Sequence, residues 1–191
     1  MPQTAKGCVA GVDVGSVLNV KISKLDEEGN RISQYIGTVP TFEDIDRLIA
    51  QYGIECLVID ALPETHKVKE LRDRNRGIVW MCEYHSKQGS TKGLTIDDDE
   101  YKVSIDRTQS LDNSHSDILL KKVIYPSNAR KIDEGNFYKQ MCAPKRIFKE
   151  DKNRYIWDEG GKPDHYRHAE NYEKIAQDLI QATGVKIWDL G

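Results

Sequence analysis

A chain of 191 residues, 38% hydrophobic and 31% charged, is long enough for one domain with a sizeable core. No run approaches the ~20 apolar residues of a membrane span, and Met1-Pro2-Gln3-Thr4-Ala5-Lys6 has no hydrophobic signal core. A net charge of −3 excludes a uniformly basic nucleic-acid binder and leaves local basic patches open.

Cys8, Cys56, Cys82 and Cys142 form no C-x-x-C pair, and three of them fall in apolar runs. Structural zinc is not expected, and the usage fits a reduced intracellular setting.

In chain order, Cys8 to Val12 is a short apolar strand ending at Asp13. Leu18 to Leu25 and Arg31 to Val39 follow as two more strands around Glu27-Glu28-Gly29-Asn30, giving a three-stranded antiparallel unit. Thr41 with Asp44 has the spacing of a capping box, and Phe42, Ile45, Leu48, Ile49 and Tyr52 recur at helical intervals before Gly53. Cys56 to Ile59 is continuously apolar, as in a strand buried on both faces, and ends at Asp60.

Pro63 suits the first turn of a helix reaching about Asn75. Ile78 to Cys82 is another buried strand, and Lys87 to Gly93 a polar loop. Asp97-Asp98-Asp99-Glu100 fits a solvated loop. Tyr101 to Ile105 alternates like a strand, and Asp106 with Gln109 resembles a capping box ahead of Leu111, His115, Ile118 and Leu119. Lys145 to Lys149 and Asn153 to Trp157 pair as a hairpin across Glu150-Asp151-Lys152.

The last helix begins near Asp164 and gathers Ala169, Tyr172, Ile175, Ala176, Leu179 and Ile180 in one sector. Arg167, Glu170, Glu173, Lys174, Gln177, Asp178 and Gln181 take the other. The order predicts an α/β domain spanning 1–191. Its mixed sheet has three antiparallel strands, then parallel strands, with helices on both faces and an added β-hairpin.

Three acids stand out. Asp13 lies in Gly11-Val12-Asp13-Val14-Gly15, whose glycines leave room for a ligand near the backbone. Asp60 ends the most apolar strand, and ligands of parallel sheets gather beyond such ends. A turn role for Asp13, helix-cap roles for Asp60 and Asp164, and a core role for either His165 or His168 stay open. At about 100° per residue, Asp164 falls roughly 20° from Ile175 and 60° from Leu179. His165 and His168 share its inward side, where an aspartate needs partners.

Three carboxylates, with His165 or His168 as a further ligand, suit Mg2+ or Mn2+. Two ions ~3.5–4 Å apart would support phosphodiester hydrolysis. Lys145, Arg146, Lys149, Lys152 and Arg154 crowd the hairpin and offer a grip on a DNA backbone.

Gly11-Val12-Asp13-Val14-Gly15, Leu57-Val58-Ile59-Asp60, Val103-Ser104-Ile105-Asp106-Arg107 and Pro163 through Tyr172 together resemble the nuclease domain of a tailed-bacteriophage terminase large subunit. The resemblance implies a ribonuclease H-like fold and a two-metal endonuclease that cuts double-stranded concatemeric DNA during genome packaging. It implies Asp13, Asp60 and Asp164 as catalytic, metal-binding acids, with His165 or His168 as a further ligand and Arg107 among the DNA contacts. It also implies an ATPase domain in the full-length protein, portal and small terminase subunit as partners, and action in the host cell cytoplasm. No G-x-x-x-x-G-K-[ST] loop is present, so the packaging ATPase lies elsewhere. The same acids are compatible with a junction resolvase, an actin-like phosphotransferase lobe or a non-catalytic DNA-binding module.

Overall fold

The computed structural model describes residues 7–85 and 93–183. The loop expected from Lys87 lies outside these ranges apart from Gly93.

β1 (Cys8–Val14) is buried along its whole length and lies inside the sheet. β2 (Leu18–Leu25) and β3 (Arg31–Val39) follow as antiparallel neighbours, the three-stranded unit expected from the sequence. Thr41 and Asp44 close the expected capping box on α1 (Phe42–Tyr52). Gly53 ends that helix in the left-handed conformation, at φ 57°, which costs glycine least.

β4 (Ile54–Asp60) returns parallel to β1, and β5 (Val79–His85) parallel to β4. Between them α2 (Thr65–Arg74) starts later than expected. Pro63 follows a cis peptide bond and precedes the helix, with Glu64 at the N-cap. β6 (Thr95–Asp97) pairs antiparallel with β7 (Lys102–Asp106), which is parallel to β5. The acidic run between them is exposed, as a solvated loop should be.

Asp106 caps α3 (Arg107–Leu119) by accepting the Gln109 backbone N–H at 2.9 Å. β8 (Val123–Ile124) adds an edge strand beside β3, and a 3-10 segment (Ala129–Gly135) leads into α4 (Asn136–Met141). β9 (Lys145–Lys149) and β10 (Arg154–Asp158) form the expected hairpin as a separate two-stranded sheet. α5 (His165–Thr183) closes the described chain.

The main sheet runs β6-β7-β5-β4-β1-β2-β3-β8. Its two faces bury separate cores. Ala10, Val12, Leu57 and Ile59 meet α1 and α2 through Ile45, Leu48, Val68 and Leu71. Val9, Cys56, Val58, Trp80 and Cys82 meet α5 through Tyr172, Ile175, Ala176 and Leu179. The sequence of strands and crossovers therefore puts helices on both faces, as expected. Cys8, Cys56 and Cys82 are buried free thiols, and Cys142 is exposed.

The polar sector expected on α5 is corrected by the fold. Arg167, Glu170, Glu173 and Gln177 are buried, not solvated. Glu173 is ion-paired with Lys21, and Glu170 lies 2.9 Å from Lys21 and 3.1 Å from Arg31. All four side chains in these pairs have 0% exposure, which makes pairing obligatory. Tyr125 adds a hydroxyl donated to Glu170 at 3.0 Å. Arg167 donates to the Ser114 hydroxyl at 2.8 Å and to the Leu111 carbonyl at 2.9 Å. A helix covered on its charged side by strands and helices far away in sequence cannot be told from a solvated one by its own periodicity.

Candidate active site

Side chains alternate along a strand, so Val9, Gly11 and Asp13 of β1 point to the α5 face, as do Val58 and Asp60 of β4 and Cys82 and Tyr84 of β5. Val12 is in register with Ile59, so Asp13 and Asp60 leave neighbouring parallel strands at the same level. The first turn of α5 crosses above them.

That crossing is set by Gly11. A Cβ there would stand 2.0 Å from the Ala169 carbonyl oxygen and 2.2 Å from the Glu173 nitrogen. The glycine makes room for the helix backbone, not for a ligand as its sequence context suggested. The close approach brings the N-terminus of α5 over both strand ends.

Asp13 is buried, and its Oδ2 lies 2.8 Å from His165 Nδ1. The hydrogen bond to Asp13 raises the His165 pKa; partial burial opposes the shift, and the charges of Asp13 and Asp164 add to it. Asp60 accepts the Leu62 N–H at 3.1 Å and does not cap α2. Burial pushes the Asp60 carboxyl up, and the neighbouring Asp13 charge adds to that; Leu62, Tyr172 and His168 pull the other way. Asp164 accepts the first backbone bonds of α5 on its carbonyl, from Arg167 at 2.9 Å and His168 at 3.1 Å. Burial opposes ionisation of its carboxyl, but His168, Arg107 and His165 outweigh it and hold the pKa below the usual carboxylate range.

The three acids thus share one end of the sheet, but not as a ready ligand set. Among the described residues, no three or more histidine, cysteine, aspartate or glutamate side chains are gathered closely enough to close on one ion. Like charges on adjacent strand ends repel, and each acid is engaged by a donor of its own. His165 takes Asp13, the Leu62 amide takes Asp60, and His168 and Arg107 take Asp164. The donors still fit a hard divalent cation in kind, being carboxylate oxygens with imidazoles beside them. Asp164 Oδ2 is also buried without a well-directed hydrogen bond among the described residues, so it keeps acceptor capacity.

His168 is buried and sits deeper than His165. Its Nδ1 lies 3.2 Å from the Tyr84 hydroxyl, which also accepts from Asn171 at 2.8 Å. Its Nε2 lies 3.0 Å from Arg107 Nη2 and 3.2 Å from Asp164 Oδ2. Tyr84 and Tyr172 stack at 5.6 Å between centroids beneath these groups. Tyr172 was expected on the apolar side of α5, whereas Tyr84 did not stand out in the sequence. For Tyr84, the signal was the period-two run Trp80, Cys82, Tyr84 continuing past the expected strand end.

The hairpin packs beside this edge, but much of its charge is already matched. Arg146 grips Asp112 through two bonds of 2.8 and 3.0 Å and lies over Tyr155. Lys149 pairs with Asp158 at 3.3 Å, and Arg154 with Asp106 at 3.7 Å. Lys145 and Lys152 are exposed. Arg107, Lys152 and Arg154 line a cleft of about 240 Å³ with Tyr84, Asp106 and Ile156. Of the six basic candidates, these three are the ones brought together in this cleft, and Arg107 among them reaches Asp164 at 3.6 Å.

This strand order and the crossing of α5 match a ribonuclease H-like fold, here with a separate hairpin added. Solved structures that share this fold include two from phage terminases. The large terminase nuclease from thermophilic phage G20c aligns with a TM-score of 0.55 and 12% identity, over 88% of this chain and 81% of that one. A mutant nuclease domain of the large terminase subunit gp2 of bacterial virus Sf6, with manganese and beta-thujaplicinol, aligns with a TM-score of 0.59 and 9% identity, over 92% and 89%. No protein-family model matches the chain, and no curated protein matches it in sequence.

Proposed function

We propose that the chain is a divalent-metal-dependent endonuclease acting on double-stranded DNA, of the terminase large-subunit kind. The observation that carries this reading is the placement of Asp13 and Asp60 on adjacent strand ends under the first turn of α5, where Asp164, His165 and His168 lie. The shared fold and the manganese in the Sf6 structure support it.

In this reading Asp13, Asp60 and Asp164 hold Mg2+ or Mn2+, with His165 or His168 as a further ligand. When bound, the cations supply Lewis-acid charge at the phosphate, which carboxylates alone would repel. The protein's own work is positioning. Gly11 fixes the height of α5, and the buried Lys21–Glu173 and Arg31–Glu170 pairs fix its rotation. Arg107, Lys152 and Arg154 draw the DNA backbone toward the acids, with Lys145, Lys149 and Arg146 further along the hairpin. The domain acts as the nuclease part of a packaging motor in the host cytoplasm. Its partners there are an ATPase domain, the portal and the small subunit.

Supercoiled plasmid incubated with Mn2+ or Mg2+ should be nicked and then linearised by the wild type. Asp13→Asn, Asp60→Asn and Asp164→Asn should each lower the rate by at least about a hundredfold. Equal cutting by all four proteins would remove the assigned acids.

A further inference from the structure

Arg107 opens α3 and touches both the first turn of α5 and the hairpin. Its Nη1 donates to the Trp157 carbonyl of β10 at 3.1 Å. Its Nη2 lies 3.0 Å from His168 Nε2, 3.6 Å from Asp164 Oδ2 and 3.8 Å from Glu159 Oε2. The side chain is 36% exposed, and it lines the cleft shared with Lys152 and Arg154. One guanidinium therefore stands between a half-buried carboxylate and a cationic cleft.

Asp164 Oδ2 gains little from this neighbour as a hydrogen-bond acceptor, because no contact to it is well directed. His168 Nε2 meets a donor on one side and an acceptor on the other. As an acceptor it takes a hydrogen bond from Arg107; carrying its own proton, it would instead turn that proton toward Asp164, 3.2 Å away. Arg107 and Asp164 thus compete for one nitrogen while their charges attract.

A divalent cation on Asp164 would meet like charge from Arg107. A DNA phosphate in the cleft offers that guanidinium two oxygens in the planar geometry it matches best. We propose that Arg107 is the cation that holds Asp164 until a DNA phosphate draws it away, so that substrate and divalent metal enter the site cooperatively. The proposal rests on the nuclease reading above. Arg107 is then a specificity-determining residue, since a molecule without a phosphodiester does not release Asp164. Linkage makes the effect reciprocal: DNA tightens the metal by the factor that metal tightens DNA.

The test is Mn2+ binding by titration calorimetry or electron paramagnetic resonance on the full chain. It is run with and without a short duplex protected by phosphorothioate linkages. In the wild type, the duplex should tighten Mn2+ about tenfold, within the ordinary range for coupled sites. Arg107→Gln should bind Mn2+ about tenfold more tightly without DNA and lose the coupling, whereas Arg107→Lys should retain part of it. Thermal unfolding of each variant checks that it is folded. A wild-type Mn2+ affinity indifferent to the duplex would overturn the proposal, whatever the variants do. So would a folded Arg107→Gln that matches the wild type. Mn2+ binding that is absent, or unaffected by Asp164→Asn, would instead remove the nuclease reading and the proposal with it.

Discussion

A methyl group on Gly11 would stand 2.0 Å from the carbonyl oxygen of Ala169, closer than any non-bonded approach allows. The contact joins the central strand to the helix that carries Asp164, His165 and His168. Backbone on both sides leaves no flexible side chain to yield. Gly11→Ala should therefore destabilise the fold by about 3 kcal/mol or more, at or beyond the upper end for overpacked sites. Urea unfolding measures this, and a cost below about 1 kcal/mol would mean that α5 shifts freely over β1.

The buried charges beneath α5 predict an acid transition. Burial opposes ionisation of Glu170, but Lys21, Arg31 and Arg167 outweigh it and hold its pKa at about 2, below the ordinary glutamate value of 4.5. A depressed carboxylate pKa contributes stability that is fully present above the unfolded value and lost as pH falls through the folded one. The thermal midpoint should fall as pH drops from 4.5 toward 2. Glu170→Gln leaves buried cations short of a partner and should cost about 3–5 kcal/mol at neutral pH. That variant should also show a flatter acid limb.

His165 carries the opposite sign. Its pKa is raised above 6.5, chiefly by the hydrogen bond to Asp13, with partial burial opposing the shift. The pairing contributes stability below the unfolded value and loses it as pH rises through the folded one. The ring is 45% exposed, so the effect on stability is small. NMR titration is the better readout. The His165 resonances should titrate above 6.5 and return toward it in Asp13→Asn.

Hairpin cations should divide into two groups. Lys152→Ala and Arg154→Ala should weaken duplex binding and lower the salt dependence by about 1 unit of slope for each phosphate no longer neutralised. Arg146 is committed to Asp112 and Tyr155, so Arg146→Ala should cost up to about 1 kcal/mol of stability. Its effect on binding should be smaller than that of the other two. Fluorescence anisotropy across a salt series, beside thermal unfolding, separates the groups.

The strand ends at Asp13 and Asp60 were legible because a buried parallel strand is a continuous apolar run that stops where the side chains become polar. The hairpin was legible for the reason that alternation survives in short strands with a clear turn. β6 and β8 are three and two residues long, too short for any period to register. The charges of α5 misled because their partners, Lys21 and Arg31, come from strands about 140 residues earlier, as the separation of 142 between Arg31 and Glu173 shows. Gly11 misled similarly: a missing side chain marks a close approach without saying what approaches. The acids share an edge, yet the chain's own donors divide them among His165, the Leu62 amide, His168 and Arg107. That division depends on local geometry that no spacing rule carries.

Anomalous diffraction from crystals soaked in Mn2+ tests most directly where the metal sits. Manganese peaks are expected against the carboxylates of Asp13, Asp60 and Asp164, with Arg107 displaced from Asp164 when a duplex is present. Manganese found only elsewhere on the protein, with these three acids still held by His165, Leu62, His168 and Arg107, would contradict the proposed metal site.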